Sequence, residues 1–405
     1  MWLIKMAWKN MWRNRTRTAI TMAAIFFAVI LSVIASSLKD GIFDNLVKNV
    51  VSFYTGYVQV HKQGYWEEQI LDNSIESSAE TEKKLLQNKN ITAVTSRLES
   101  FALVSSEDIT KGALVVGIEP EKEDRITSLK SKLVEGNYLK TTDKAVLLAK
   151  GLAERLKLKT GDTLVLIGQG YHGATAAGKY RIAGIVKFGS PELNDKVVFM
   201  PLLLAQDFYG AYNMISSYIL SLQNTKDLQP TTSALRAVLG ATYEVMAWED
   251  IIPEVKQHIE TDNNNMKYIQ GILYMLICFG IFGTLLMMMV ERKYEMGMLV
   301  AIGMKKSKLI ILQLTESVLT VLSGCLLGIM ASIPLVYFFN RNPLKIGGET
   351  AKAYERFGFE AVFPTSTDAS NFIYQGMVVL IIGLVLSLYP MYKIIRLNPV
   401  TAMKR

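Results

Sequence analysis

Residues 173–180, Gly-Ala-Thr-Ala-Ala-Gly-Lys-Tyr, carry the Gly-x-x-x-x-Gly-Lys spacing of a phosphate-binding loop. In such a loop the backbone N–H groups and a helix N-terminus face the phosphates, the Lys reaches them, and a following Ser or Thr hydroxyl holds magnesium. Here Tyr180 stands at the hydroxyl position and cannot replace that small ligand. It also opens "YRIAGIV" (180–186), a strand pattern, and "TLVLIG" (163–168) before it is another. No helix follows to supply the anion site. The expectation is a mobile Gly-rich hairpin between two strands, not a nucleotide site. No second Gly-x-x-x-x-Gly-Lys occurs in the sequence, so ATP-driven work calls for a partner.

The other reactive residue types point to no chemistry of their own. His61, His172 and His258 lie far apart, without metal-ligand spacing. They read as surface or satisfied histidines. Cys278 and Cys325 both fall inside apolar runs and give no disulfide framework. No nucleophile, base and metal cluster is visible near those runs, which argues against a membrane enzyme.

Four uncharged runs dominate the chain, at residues 18–38, 268–290, 317–339 and 371–392, each of 21 to 23 residues. A bilayer core needs about 20 helical residues, so each is expected to span a membrane. The net charge of +8 is distributed unevenly. Residues 1–17 hold five basic residues and no acid, 291–308 five against two, and 393–405 four against none. The long segment 39–267 holds 26 basic and 29 acidic residues, and 340–370 holds four of each. Basic loops that alternate with near-neutral ones obey the positive-inside rule. Both termini and the 291–308 loop are therefore expected in the cytoplasm. The same distribution argues against a nucleic-acid-binding surface.

The expected organisation follows. Residues 1–17 form a cytoplasmic amphipathic helix, with Leu3, Ile4, Ala7, Trp8, Met11 and Trp12 on one face and Lys5, Lys9 and Arg13 on the other. The first span is 18–38, read as an uncleaved anchor because its apolar run is longer than a signal-peptide core. Residues 39–265 form a large extracytoplasmic α+β domain with stalk helices, inserted between spans 1 and 2. The first stalk continues span 1 through Ile42, Leu46 and Val50; the second is carried by Ile252, Val255 and Ile259, with Asp262-Asn263-Asn264-Asn265 as a candidate interruption. Strands are expected at 56–61, 112–118, 145–149, 163–168, 180–186, 196–200, 217–222 and 243–248, and helices at 150–158 and 231–239, in two subdomains. Spans 2, 3 and 4 are placed at 266–290, 309–339 and 371–392. A cytoplasmic loop or helix occupies 291–308, with a break at Gly297 and a C-cap at Gly303. An extracytoplasmic loop occupies 340–370 and a cytoplasmic tail 393–405.

"ERKYEMGMLVAIG" (291–303), with the basic cluster after it and Glu316, resembles the signature of FtsX/MacB-like permeases. "SLYPMYKIIRLNPVTAMKR" (387–405) resembles the ending of that family, with Pro390, Arg396, Pro399, Ala402 and Arg405 in matching places. "LLAKGLAERLKLKTGDTLVLI" (147–167) resembles its extracytoplasmic core domain. The resemblance implies the permease of an ABC transporter in a bacterial inner membrane. It implies no cofactor on this chain, ATP and Mg on a separate ATPase subunit, and a second permease subunit, identical or homologous. On the same grounds, contact with the ATPase falls to Glu291, Arg292, Glu295, Gly297, Ala301, Gly303, Lys305 and Lys306. Glu316, about 12 Å into span 3 from Lys308, is an intramembrane polar residue expected to pair with an Arg or Lys at the cytoplasmic side. Length, span count and "SLYP" look most like lipoprotein-releasing permeases of the LolC/LolE type, which implies a lipoprotein or other hydrophobic cargo and a periplasmic acceptor. A regulator of cell-wall hydrolases and a peptide or antibiotic exporter are the alternatives in the same family.

Overall fold

The computed structural model describes residues 2–13, 15–345, 347–349, 351, 362–398 and 402. Of the family-ending residues, Pro399 and Arg405 lie outside the described set. The chain divides into two compact units. One comprises residues up to Asn45, Ile259–Lys345 and the chain from Val362 onward; the other comprises Leu46–His258 together with Ile346–Ala361.

The first unit is helical. Its helices among the described residues are α1 (Trp2–Arg13), α2 (Arg15–Val50), α3 (Pro253–Ala301), α4 (Lys306–Arg341), α5 (Ala369–Leu386) and α6 (Leu388–Ile395), with a short strand pair, Leu344–Lys345 and Val362–Phe363, beside them. Among the described residues, four segments are long and apolar enough to cross a membrane: Thr18–Asn49, Pro253–Ala301, Lys306–Arg341 and Ala369–Ile395. A helix satisfies its own backbone hydrogen bonds, which a bilayer interior requires. In each span no more than 33% of the apolar window is buried, so most of this surface faces lipid or a partner.

Small residues set how closely these helices approach. Gly324 and Gly328 share one face of α4, and an added Cβ would lie 2.9 Å from Ile25 and 2.7 Å from Val29 of α2. Gly376 and Gly383 of α5 bear on Ile329 and Val321 of α4 in the same way, at 2.5 and 2.8 Å. Glycine in these places lets backbones pack without lost contact, the main source of helix association in lipid. The resulting core joins Ile25, Val29 and Val33 to Ile281, Val321 and Val379. One polar knot interrupts it. Gln375 Oε1 of α5 accepts from Ser32 Oγ of α2 and from Tyr274 OH of α3, each at 2.6 Å.

Several boundaries differ from expectation. The Asp-Asn-Asn-Asn run at 262–265 does not interrupt α3, which continues for 49 residues. The solvated helix there retains its backbone ladder, and the low propensity of Asn and Asp costs only a few tenths of a kcal/mol per residue. The helix does not break at Gly297 either. The loop expected over 291–308 is reduced to four residues, 302–305, between α3 and α4. Span 4 is broken at Ser387, because Pro390 has no N–H for the carbonyl four residues earlier.

The second unit carries strands β1 (Val58–Lys62), β2 (Ile75–Glu76), β3 (Ile91–Ser105), β4 (Thr110–Ile118), β5 (Leu133–Gly136), β6 (Ala145–Ala149), β7 (Thr163–Gln169), β8 (Thr175–Val186), β9 (Val197–Pro201), β10 (Met214–Ile215), β11 (Ser217–Leu222) and β12 (Tyr243–Ala247). Ten of them form one hydrogen-bonded sheet, so the two expected subdomains share a single ladder. Six close on themselves in the order β3, β4, β9, β6, β8, β7 and back to β3. The alternating runs expected as strands all pair, and helices cover Lys150–Leu156 and Leu228–Leu239. The phosphate-loop look-alike is strand rather than mobile hairpin from Thr175 on: Thr175↔Gln169 through Arg181↔Thr163 are in register with β7, and the turn is confined to 170–174.

The 15-residue β3 escapes a reading by alternation because Arg97 and Glu99 sit in its middle. Arg97 is fully buried, donates to both Glu123 oxygens at 3.0 and 2.6 Å, and lies over the Tyr54 ring at 4.4 Å. It stands where β3 passes from its β11 pairing to the closed ring, Arg97 facing both Ser217 and Ile118. A buried charge is tolerated there because its partners are built in.

His61 on β1 is 1% exposed; its Nδ1 lies 3.1 Å from the Ser216 carbonyl, and its ring stacks on Tyr65 at 5.0 Å. Burial pushes its pKa down to about 4, against a smaller opposing effect of the Ser216 carbonyl. The folded state therefore prefers neutral His61, and the unfolded chain takes up a proton near pH 6.5. Stability from this group is complete above pH 6.5 and is lost as pH falls toward 4, on the order of 3 kcal/mol in all. Pulse proteolysis of the full chain between pH 7.5 and 4.5 should show the loss, and His61→Gln should flatten it; identical slopes would refute this account.

Candidate functional site

The basic ends of the spans meet in one polar junction. Arg292 on α3 and Glu316 on α4 are both buried, and Arg292 Nη1 donates to Glu316 Oε2. The other carboxylate oxygen accepts from Asn10 Nδ2 of α1 at 2.7 Å. Thus three helices converge on one side chain. A second, exposed link joins Arg13 Nη2 of α1 to Glu295 Oε2 of α3 at 3.2 Å. Arg13, Asn10, Arg292, Glu295 and Glu316 line a cavity of about 300 Å³. The exposed link contributes little, whereas breaking the buried pair strands a charge.

Beyond Arg292 the chain reverses tightly. Gly303 adopts φ +106°, and its N–H donates to the Val300 carbonyl at 3.1 Å while Met304 N–H donates to the Leu299 carbonyl at 3.0 Å. These two bonds are the Schellman motif, which ends α3 with glycine in the left-handed region. Among the described residues nothing lies within 4 Å of a Cβ at Gly303, so the backbone angle, not space, demands glycine. The turn is held by a small apolar cluster of Met296, Leu309 and Ile394, with Leu299, Met304 and Leu397 packed on it. Lys306 Nζ donates to the Ile395 carbonyl at 3.0 Å, placing a cation at the C-terminus of α6. The C-terminal "SLYPMYKIIR" segment is in this way a support for the turn.

The residues expected from the family signature fall into two groups. Arg292 and Gly297 are buried, Glu295 is half-buried against Arg13, and Lys306 is turned onto α6. Glu291, Ala301, Gly303 and Lys305 are exposed. Tyr294, Met298 and Ile302, four residues apart and so on one helical face, are 54, 40 and 77% exposed. With Lys293, Lys305 and Lys308 exposed around them, they make an apolar strip fringed by cations. Asn10 and this strip were not among the expected residues. For Asn10 the available signal was a lone uncharged polar residue beside the apolar face of α1. For Ile302 it was a large apolar residue in a glycine turn.

Four apolar spans with a folded unit inserted between the first and second, and a braced reversal between the second and third, define a multi-pass membrane protein of permease type. Residues 269–399 match the FtsX-like permease C-terminal family, and residues 18–238 match the MacB-like periplasmic core domain family. The chain belongs to the FtsX/MacB-like ABC transporter permeases, with the MacB-like domain between its first and second membrane helices. A curated relative is the macrolide export ATP-binding/permease protein MacB of Acinetobacter baylyi, 24% identical over 212 residues, covering 49% of this chain and 30% of that protein. The chain therefore spans about a third of the length of that relative. Solved structures similar to it include the periplasmic region of MacB from Actinobacillus actinomycetemcomitans, 15% identical with a TM-score of 0.37, covering 53% of this chain and 97% of that one. The extracellular domain of the noncanonic ABC-type transporter YknZ from Gram-positive bacteria is also similar, 15% identical with a TM-score of 0.34, over 47% and 98%.

Because Glu316 serves two partners, Glu316→Leu should destabilise the helical unit by about 3–5 kcal/mol, leaving Arg292 buried and unpaired. The double variant Arg292→Met/Glu316→Leu should recover most of this. Thermal unfolding in detergent measures both, and a double variant no more stable than the single one would show that the pair is not the source.

Proposed function

We propose that this chain is the lever of its transporter: an ATPase subunit seats on the α3–α4 reversal, and its nucleotide cycle moves α3 and, with it, the extracytoplasmic domain. The observation that carries this reading is α3 itself, one unbroken helix of 49 residues, about 74 Å long. It begins at the end of the inserted domain and ends at the exposed strip. An apolar helix face fringed by charge is what a groove on a partner recognises. In this reading Tyr294, Met298 and Ile302 make the contact, helped by Glu291, Ala301, Gly303 and Lys305. Arg292, Glu295, Gly297 and Lys306 hold the shape that presents them. The basic ends lie in the cytoplasm of a bacterial cell, the membrane is the inner one, and ATP and Mg are bound by the partner. The exposed apolar surface of the spans leaves room for a second permease subunit.

Ile302→Asp should leave insertion and folding unchanged while lowering affinity for the ATPase subunit roughly tenfold or more. ATP turnover of the reconstituted complex should fall to that of the ATPase subunit alone. Full stimulation by the variant would place the contact elsewhere.

The cargo we propose is a lipoprotein, extracted from the outer leaflet of the inner membrane and passed to a periplasmic acceptor. Its support is the resemblance of the C-terminal motif and the chain's span organisation to lipoprotein-releasing permeases. The ionisable residue within span 3, Glu316, is also occupied by Arg292 and Asn10, which suits an apolar lateral entrance better than an ion path. Similarity to the macrolide exporter favours a second reading, export of an apolar drug or peptide. Depletion of the chain separates them. Acylated proteins retained in the inner membrane, with unchanged macrolide sensitivity, are expected; heightened macrolide sensitivity with normal lipoprotein release would replace the first reading by the second.

A further inference from the structure

A second concavity in the helical unit has the opposite character to the polar junction. Trp8, Met11 and Trp12 of α1, Ala19 and Met22 of α2, and Ser323 of α4 line a groove of about 250 Å³ whose walls are almost wholly apolar. Trp8 and Trp12 are 50 and 56% exposed, and their rings meet edge to face at 6.2 Å. Two large aromatics half open to the surroundings are typical of the membrane interface, where an apolar body and a polar edge are both satisfied. The groove's rim is cationic. Arg15 is exposed, donates from Nε to the Trp12 carbonyl at 3.3 Å, and holds its guanidinium 5.7 Å from the Trp12 ring. Arg15 is the cation that lines the groove; Lys5, Lys9 and Arg13 lie on the opposite face of α1.

Apolar residues lie beyond Ser323 on both helices. Leu327 and Met330 follow it at helical spacing on α4 and are 49 and 68% exposed, and Phe26 follows Met22 on α2. They flank the line where Gly324 and Gly328 admit Ile25 and Val29. An arginine at the rim therefore meets an apolar trough, and apolar side chains continue beyond it along the two membrane spans. Free phosphate would use the rim and leave the trough empty; a fatty acyl chain alone would leave the rim unused. A phospholipid with a net negative headgroup uses both.

We propose that this groove binds one anionic phospholipid of the surrounding bilayer, with its phosphate on Arg15 and an acyl chain between Trp8, Trp12, Met22 and Ser323. The site has a consequence for the junction. Asn10 lies about 200° around α1 from Trp8, so the side of α1 away from the lipid is the one that holds Glu316. Occupancy would press α1 onto the junction that braces the α3–α4 turn.

The test uses the full chain purified in mild detergent and offered equimolar phosphatidylglycerol and phosphatidylcholine, with retained lipid read by native mass spectrometry. Wild type should keep one phosphatidylglycerol per chain, with about tenfold preference over phosphatidylcholine, the discrimination of one charge-assisted contact. Arg15→Gln should abolish the preference while some lipid is still held. Ala19→Phe, on an exposed helical surface and projecting into the groove, should lose both lipids. The ratio of the two lipids is internal to each sample, so it does not depend on the yield of folded variant. Equal retention of both lipids by wild type would overturn the proposal, as would a phosphatidylglycerol preference that survives both substitutions, which would place an annular or distant lipid in its stead.

Discussion

The buried pairing of Arg292 with Glu316 is the interaction on which the helical unit depends. A carboxylate on the third span's helix cannot sit in apolar surroundings without a cation, and Arg292 on α3 supplies it. Its second oxygen then recruits Asn10, so the N-terminal helix is fixed by the same charge. Everything that follows in the chain is arranged around that anchor: α3 has its face set by Arg292, reverses at Gly303, and returns as α4 to bring Glu316 into place. The C-terminal helix α6 closes the outside of the turn through Ile394 and the Lys306 contact. A motif at the far end of the sequence is thereby tied to the reversal it supports.

Glycines and one glutamine organise the rest of the bundle. In lipid there is no hydrophobic drive to bring helices together, so close backbone approach and interhelical hydrogen bonds must do so. α4 supplies Gly324 and Gly328 to α2 and receives Gly376 and Gly383 from α5, which makes it the central helix of the unit. Gln375 ties α2 and α3 to α5 at a single acceptor. α3, by contrast, carries Gly271, Gly280 and Gly283 with nothing among the described residues within 4 Å of an added Cβ. Much of its apolar surface is exposed, as suits the moving helix of the proposed lever.

What was legible in the sequence is what composition and period encode. The four spans, their basic ends and strands such as "AVLLA" need only local information, and they were readable. Burial that depends on distant partners was not. β3 carries Arg97 because Glu123, 26 residues away, meets it, a partner that the local sequence does not reveal. Glu316 announced the need for a cation but not that Arg292, 24 residues earlier, would be the one. The Asp-Asn-Asn-Asn run reads as a break, yet a long solvated helix absorbs it.

The reversal between α3 and α4 is the stretch least legible in the sequence, for a physical reason. The stretch has no single apolar face: Met296 and Leu299 pack inward, while Tyr294, Met298 and Ile302 face out. A segment that merely ended a span would gain nothing by exposing three large apolar side chains on one face, beside lysines. In the proposed lever reading, the segment gripped by the partner needs an outer apolar face for that partner and an inner one that transmits force without yielding. The inner face here is backed by a buried ion pair, a Schellman turn and the α6 support. These make the turn a stiff knob at the end of a 49-residue helix rather than a loop that could bend away from a load.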